Sequence, residues 1–343
     1  MDKLRVVLST NRVVPYTAAL HAVLGRRVDL RIVTADLGAS TVVGYRQVLR
    51  EMPRSVLPGV IIAGDFGRRA AYGAFLAARR LGVPFVFWTD EFDPQPPWRD
   101  RWLPMASRRF MARRADAFLV CGARQARWAA ALGARPGRIF TFHYPVLDWP
   151  QDAAPRETGS ATRLLFLGRM VVDKGPDLLV RALALMTELR WSATMAGGGP
   201  AAGWVRQLIA THHLEDRIVF QEGWVTPDHR QRLFQSHDAL VLPSRQEPWG
   251  IVATEAQAWG LPAIVSIHAG AVEGGLVDGR TGLVVSPLTV ERLTEVLADV
   301  VQHPERVQAM SKEARLWARR FTVGRQADVV MDAIRHVAGL AQR

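Results

Sequence analysis

The feature that most limits what this chain can fold into is an alternation, run through twice, of short apolar segments with helical patterns. In the first half, residues 6–8, 28–33, 60–63, 85–88 and 118–120 are apolar runs rich in β-branched and aromatic side chains. Helical periodicity fills the intervals at 15–24, more weakly at 41–52, and again at 67–81, 102–114 and 123–132. Strands separated by helices of this length pair in parallel, because each crossover returns the chain to the same end of the sheet. At 145–162 the periodicity stops, and Pro150, Asp152, Pro155, Gly159 and Ser160 give linker composition. It then resumes, with strand-type runs at 164–167, 191–195, 218–220, 239–242, 263–266 and 283–285. Helical segments lie between them at 177–189, 204–212, 228–236 and 251–259, and three more follow from Thr289. The expected fold class is α/β: two doubly wound domains, 1–150 and 160–320, and an amphipathic tail, 321–343, striped by Val329, Val330, Ile334 and Val337. Two such sheets joined by one linker leave a cleft, a place that ligands favour.

Composition narrows the partners. No apolar run approaches the roughly 18 residues of a membrane span. The run from Leu4 to Leu8 is too short for the apolar region of a signal peptide, so a cytoplasmic protein is expected. Cys121, the single cysteine, excludes an intramolecular disulfide and a cysteine-rich metal site, and is expected to be packed and inert. The net charge of +12 belongs wholly to the first half: residues 1–150 carry 23 Lys and Arg against 11 Asp and Glu, and residues 151–343 carry 21 against 21. Only Lys3, Lys174 and Lys312 are lysines, a bias typical of GC-rich genomes that makes these three worth reading. A basic balance invites nucleic acid, but the arginines are scattered and no reader motif occurs, so no nucleic-acid partner is expected.

The stretch Ala239-Leu-Val-Leu-Pro-Ser-Arg-Gln-Glu-Pro-Trp-Gly-Ile-Val-Ala-Thr-Glu-Ala256 reads as strand, polar loop and helix, the helix opening at Gly250. In an open α/β sheet this unit aims its loop and helix N-terminus at the crevice outside the carboxyl ends of the strands. Glu247 lies in the loop and Glu255 near the second helical turn. A helical side chain leans toward the N-terminus, so both carboxylates can reach one space. Paired carboxylates there also fit hydrolytic acid–base chemistry.

Upstream, Phe166-Leu-Gly-Arg-Met-Val-Val-Asp-Lys-Gly-Pro-Asp177 puts Gly168, Arg169 and Lys174 in the loop after a strand. Two cations at the carboxyl end of a strand suit a diphosphate, although for the fragment alone solvated surface charge is the simpler explanation. Met195-Ala-Gly-Gly-Gly-Pro200 lets backbone approach a ligand or makes a tight connection. The backbone N–H groups of Gly250 and Ile251 face an anion, with help from the helix dipole.

Taken in order, Gly-Arg-x4-Lys-Gly, Gly-Gly-Gly-Pro, Phe220-x2-Gly223, Pro-Ser-x2-Glu-Pro-Trp-Gly-x4-Glu-Ala, Gly-x2-Glu and Asp-Gly-x-Thr-Gly-Leu resemble the second domain of glycosyltransferase family 4 over residues 164–300. Glu247 and Glu255 match the E-x7-E signature of retaining GT-B transferases. The resemblance implies a GT-B fold of two Rossmann-like domains facing across a cleft, the first on the acceptor side and the second holding a nucleotide sugar. It further implies that the last helix crosses back to the first domain, and that no metal or other cofactor is required. No Asp-x-Asp occurs in the chain to hold a metal diphosphate. By matching position, Arg169 and Lys174 grip the donor diphosphate and stabilise the leaving group, Glu255 binds the ribose hydroxyls, and Glu247 sits beside the reacting carbon. Gly168, Gly198, Trp249, Gly250 and Ile251 line the donor pocket, and Val225, or Trp224 beside it, borders the base.

The first domain departs from the family pattern. Ser9-Thr-Asn-Arg-Val-Val-Pro-Tyr16 replaces the usual glycine-rich turn, leaving Asn11, Arg12 and Tyr16 as acceptor-side candidates. Where the family presents a histidine, this chain reads Trp88-Thr-Asp-Glu-Phe92: Asp90 is the nearest polar group, and Glu91 could deprotonate an acceptor. Tryptophans, methionines and Phe110 interleave with six arginines between Pro94 and Arg114, a pattern that fits either a helix packed on its sheet or a surface for anionic lipid. The expected function is therefore retaining hexosyl transfer from a nucleotide diphosphate sugar to an acceptor hydroxyl. Envelope or exopolysaccharide intermediates, lipid-linked ones included, and natural-product scaffolds are the acceptor classes. The alternatives are a nucleotide-sugar epimerase, a phosphorolytic enzyme of the same fold, and a nucleotide-sugar binder without turnover.

Overall fold

The computed structural model describes residues 3–10, 15–34, 46, 48–50, 59–64, 69–89, 102–150, 161–274, 276 and 278–339. The chain forms two compact units, Met1–Pro145 with Phe321–Arg343, and Val146–Arg320. Residues 146–150, within the first domain as bounded from sequence, group with the second unit. Two hydrogen bonds hold them there: the indole N–H of Trp259 donates to Asp148 O at 3.0 Å, and Arg230 donates to the Asp148 carboxylate at 2.7 Å.

The first unit contains a six-stranded parallel sheet of β1 (Arg5–Thr10), β2 (Asp29–Thr34), β3 (Gly59–Gly64), β4 (Phe85–Thr89), β5 (Ala117–Cys121) and β6 (Ile139–Phe142), in the order β2-β1-β3-β4-β5-β6. Residues of β4 and β5 are buried throughout, since helices cover both faces; such strands read as continuous apolar runs, not as alternation. β6 is the one described strand with no counterpart in the sequence expectation. Its Ile-Phe-Thr-Phe lies at a sheet edge and is mostly half-buried, so its hydrophobic signal is short. The helices of this unit are α1 (Pro15–Arg27), α2 (Arg69–Leu81), α3 (Trp102–Arg114) and α4 (Gly122–Ala131). Residues 46 and 48–50 are also helical, and the rest of the weak 41–52 pattern lies outside the described residues. Cys121 is buried at the end of β5.

The second unit repeats the plan with β7 (Thr162–Leu167), β8 (Trp191–Gly197), β9 (Ile218–Glu222), β10 (Ala239–Leu242), β11 (Ala263–Ser266) and β12 (Gly282–Val285), all parallel, in the order β12-β11-β10-β7-β8-β9. Its helices are α5 (Pro176–Ala184), α6 (Ala202–Thr211), α7 (Pro227–Ser236), α8 (Ile251–Ala258), α9 (Gly270–Glu273), α10 (Val290–Gln302) and α11 (Pro304–Ala318). α5 stops five residues short of the periodicity, which runs to Leu189. The carbonyls beyond it are claimed elsewhere: Trp191 donates to Met186 O, and Arg217 donates to Thr187 O and Leu189 O. Thr226 and Thr289 cap α7 and α10 through their hydroxyls.

The tail forms α12 (Val323–Val337), capped by Thr322 and packed in the first unit against α1 and β6. Val330 and Ile334 lie in the core, as the stripe predicts, together with Ala327, Met331 and Ala333. No helix among the described residues is long and apolar enough to cross a membrane.

Candidate active site

In the second unit the chain starts at β7, winds outward through β8 and β9, then returns to the other side of β7 for β10. Ligands of open parallel sheets bind outside the carboxyl ends of the strands where the winding reverses. The loops leaving β7 and β10 meet at that point, and glycine lets them touch. Gly175, left-handed at φ +67°, begins α5, and a Cβ on it would lie 2.1 Å from Pro243 O. The glycine turn after β8 nests against the same loop. A Cβ on Gly197 would lie 1.9 Å from Gly168 O, and one on Gly199 would lie 2.4 Å from Met170 O. Met170 N–H donates to Gly198 O at 2.9 Å, so the backbone around Arg169 is held on both sides. Arg169 itself is exposed, and its side chain has no hydrogen bond or ion pair among the described residues.

Arg245 ties the two loops together, a role that sequence did not reveal. Its guanidinium forks the buried Asp177 carboxylate with two bonds of 2.7 Å and donates to Val172 O at 2.8 Å, while its backbone N–H donates to Asp173 O at 2.7 Å. Asp177 opens α5 and Arg245 follows Ser244, so the fork fixes the spacing between Lys174 and Glu247. Those two meet as an ion pair of 2.5 Å between Lys174 Nζ and Glu247 Oε2, with side chains 14% and 10% exposed. Ser244 Oγ donates to the same oxygen at 3.5 Å. Behind Glu247 the loop is pinned again, since Gly270 N–H donates to Glu247 O at 3.0 Å and Ala271 N–H to Trp249 O at 2.9 Å.

Trp249 is 2% exposed, and a Cβ on Gly274 would lie 2.1 Å from its ring. Its buried ring is packing, and its backbone is what remains for a ligand. Gly250, at φ +94°, is the N-cap of α8, which leaves the first backbone N–H groups of that helix pointing out of its end. Gly223, at φ +123°, lies against Gly198 and precedes the 89% exposed Trp224 and half-buried Val225.

Glu255 has a different set of partners. On the second turn of α8, its Oε1 pairs with Arg230 Nη1 at 3.2 Å, and Arg230 Nη2 pairs with Asp148 Oδ2 at 2.7 Å. Burial is the main force on the Glu255 carboxyl and pushes its pKa up to about 7; Arg230 opposes the rise and Asp148 adds to it. The two glutamates of the spaced pair are thus held by separate cations, Lys174 and Arg230. Lys174 and Arg169 do not act alike either: one is committed to Glu247 and the other has no partner among the described residues. Arg230, Asp148, Arg245 and Asp177 carry no motif spacing, so only tertiary contacts bring them in.

Of the first-unit candidates, Asn11, Arg12, Asp90 and Glu91 lie outside the described residues. Tyr16 begins the second position of α1, with its ring edge-on to Tyr144 at 4.9 Å.

Two doubly wound units, the second with a cation-bearing reversal point and a helix N-terminus at one end of its sheet, are the build of the GT-B glycosyltransferases. Residues 149–317 match the family described as Glycosyl transferases group 1, and residues 5–145 match the Glycosyl transferase 4-like domain. The chain belongs to the family 4 type of GT-B glycosyltransferases. It is 32% identical over 234 residues to a D-inositol 3-phosphate glycosyltransferase of Catenulispora acidiphila, an alignment covering 62% of this chain and 54% of the relative. The chain spans about half the length of the curated relatives it matches. In fold it is similar to a glycosyltransferase from Rickettsia africae, with a TM-score of 0.78 at 14% identity over 99% of this chain and 100% of the other. It is also similar to Anabaena HepE solved with UDP and glucose, with a TM-score of 0.71 at 16% identity over 96% and 98%.

Proposed function

We propose that the chain transfers a hexosyl group from a nucleotide diphosphate sugar to an acceptor hydroxyl, with retention at the anomeric carbon. The Lys174–Glu247 pair at the winding reversal, with the exposed Arg169 in the same loop after β7, is the observation that carries this reading. As the bond between the anomeric carbon and the diphosphate breaks, negative charge grows on the leaving oxygens. Arg169, Lys174 and the N–H groups at the start of α8 supply the preorganised positive field that this charge needs. With those groups in place, transfer proceeds without a metal ion. Glu247 lies beside the reacting carbon and, once Lys174 turns to the diphosphate, has an oxygen free for the sugar hydroxyls. Glu255 accepts from the ribose hydroxyls. The relative's action on an inositol phosphate and the UDP and glucose bound by the Anabaena protein support a nucleotide-sugar donor and a polyol acceptor. Asp90 serves in place of the family's histidine, or Glu91 takes the acceptor proton, and Asn11, Arg12 and Tyr16 contact the acceptor.

The test is a thermal-shift screen with UDP, GDP, dTDP and ADP and their sugars, followed by nucleoside diphosphate release with candidate acceptors and assignment of the product anomer by NMR. Full transfer activity in Glu247→Ala or Lys174→Ala would sink the reading, and an inverted product would sink retention.

We further propose that α3 rests on an anionic membrane surface when the acceptor is lipid-linked. Met111 and Ala112 face the core, while Phe110 is 48% exposed with the Arg114 guanidinium 4.1 Å from its ring centroid. Arg109, Arg113 and Arg114 share the exposed side of the helix. Co-sedimentation with anionic vesicles, abolished by Glu at positions 108, 109, 113 and 114, is the expected result; unchanged binding refutes it.

A further inference from the structure

We propose that Arg230 is a positioning residue for donor binding: held by Asp148, it engages Glu255 Oε1 and leaves Glu255 Oε2 to accept the donor's ribose. The inference rests on the donor role of Glu255 given above.

The geometry consists of three charged side chains from three separate segments. Glu255 comes from α8, Arg230 from α7, and Asp148 from the segment joining the units, and the two contacts are 3.2 and 2.7 Å. Side-chain exposures are 12% for Glu255 and 26% for Arg230, so the pairs are largely shielded from water. Only Oε1 of Glu255 is engaged, and Oε2 has no partner among the described residues. The Asp148 segment is anchored independently by the indole of Trp259, at the C-terminal end of α8. Arg230 therefore bridges an anchored aspartate and the glutamate through separate guanidinium nitrogens.

Other groups around Glu255 do not take this place. The strands flanking α8, β10 and β11, carry no charged residue. α11, packed on α8, brings the Arg315 guanidinium against Gly260, beyond the helix end. On α7, Asp228 is exposed and His229 spends its backbone N–H on the Thr226 cap. Arg230 and Asp148 are the charges that act on Glu255, and burial alone favours the protonated form. A neutral carboxyl is a poorer acceptor for two ribose hydroxyls than a carboxylate. Donor affinity should then fall as pH drops through the Glu255 titration, and the midpoint of that fall should report Arg230.

The experiment measures the dissociation constant of the tightest-binding sugar nucleotide among those of UDP, GDP, dTDP and ADP, from pH 5.5 to 9, by calorimetry. A sugar nucleotide is chosen because its diphosphate is esterified at both ends, whereas a free nucleoside diphosphate adds its own ionisation near pH 6. In wild type, affinity is expected to be flat above the midpoint and to weaken about tenfold per pH unit below it. Arg230→Met moves the midpoint upward by about one unit or more, which weakens binding about threefold or more at pH 7.5 and about tenfold or more at pH 6. Arg230→Lys restores part of the shift, Asp148→Asn moves the midpoint without removing binding, and Glu255→Gln removes the pH dependence. Circular dichroism and thermal unfolding check each variant for folding; if Arg230→Met fails, Arg230→Lys and Asp148→Asn carry the comparison. A role in packing alone lowers affinity equally at every pH, and that result, or an unmoved midpoint, overturns the proposal. Wild type that binds none of the four sugar nucleotides at any pH overturns the donor reading itself and this inference with it.

Discussion

At the scale of single residues, the two cations after β7 separate chemistry from stability. Arg169 is exposed and unpartnered among the described residues, so removing it costs the fold little. Arg169→Ala should leave the thermal midpoint within about 1 °C of wild type while lowering kcat by about 10²- to 10³-fold, the usual loss when one preorganised donor is removed. A midpoint drop of several degrees with unchanged kcat would invert that assignment. Lys174 has a second duty, because its ammonium neutralises a Glu247 carboxylate that is only 10% exposed. Lys174→Met should therefore reduce both turnover and stability, since the unpaired buried carboxylate must be solvated or protonated. Arg169 and Lys174 were both legible in sequence from their loop after an apolar run. That one is free and the other paired was not, because the pairing depends on a glutamate 73 positions away.

At the scale of elements, the site depends on loops that touch through glycine. Gly175→Ala places a Cβ against Pro243 O in a left-handed conformation, where the backbone penalty alone is about 1–2 kcal/mol. Because the clash separates the two loops, donor affinity should fall by more than that destabilisation predicts. Paired measurements of unfolding free energy and donor dissociation constant check it; loss of stability with unaltered affinity would show that the loops act independently. Arg245 and Asp177 hold the same spacing by their fork, which makes the arrangement rigid before any ligand arrives. The strands around the site were readable because burial on both faces demands long apolar runs. The early end of α5 was not, since Arg217 and Trp191 take the carbonyls just beyond it from elsewhere in the unit.

At the scale of the whole molecule, the tail is part of the first unit. Phe321, Ala327, Val330, Ala333 and Ile334 are at most 1% exposed. The larger of these side chains each contribute about 1.5–3 kcal/mol by burial, against a total of about 5–15 kcal/mol for an ordinary domain. Truncation after Arg320 should leave the first unit unable to fold, seen as a lost cooperative transition and protease sensitivity confined to residues before Val146. A truncated chain with an intact transition would contradict this. The same unit holds a pH sensor for stability. Burial depresses His143 to about 4, so the folded protein keeps it neutral where the unfolded chain takes up a proton. Its contribution is complete above about pH 6.5 and is lost progressively between there and about pH 4, at most about 3 kcal/mol. Chemical denaturation of wild type and His143→Gln across that window should show a shallower pH slope in the variant.

Sequence by itself determined the two parallel sheets, because periodicity is local and burial on both faces leaves a continuous apolar record. It also determined which loops would carry Arg169, Lys174 and Glu247, because loops after parallel strands emerge at one end of the sheet. Tertiary structure alone decided which charge answers which. Lys174 with Glu247, Arg230 with Asp148, and Arg245 with Asp177 join segments 68 to 82 residues apart, and Arg230 with Glu255 joins two separate helices with no shared spacing. Ion pairing is set by distance and desolvation in the folded chain, and neither quantity is written in the order of the residues.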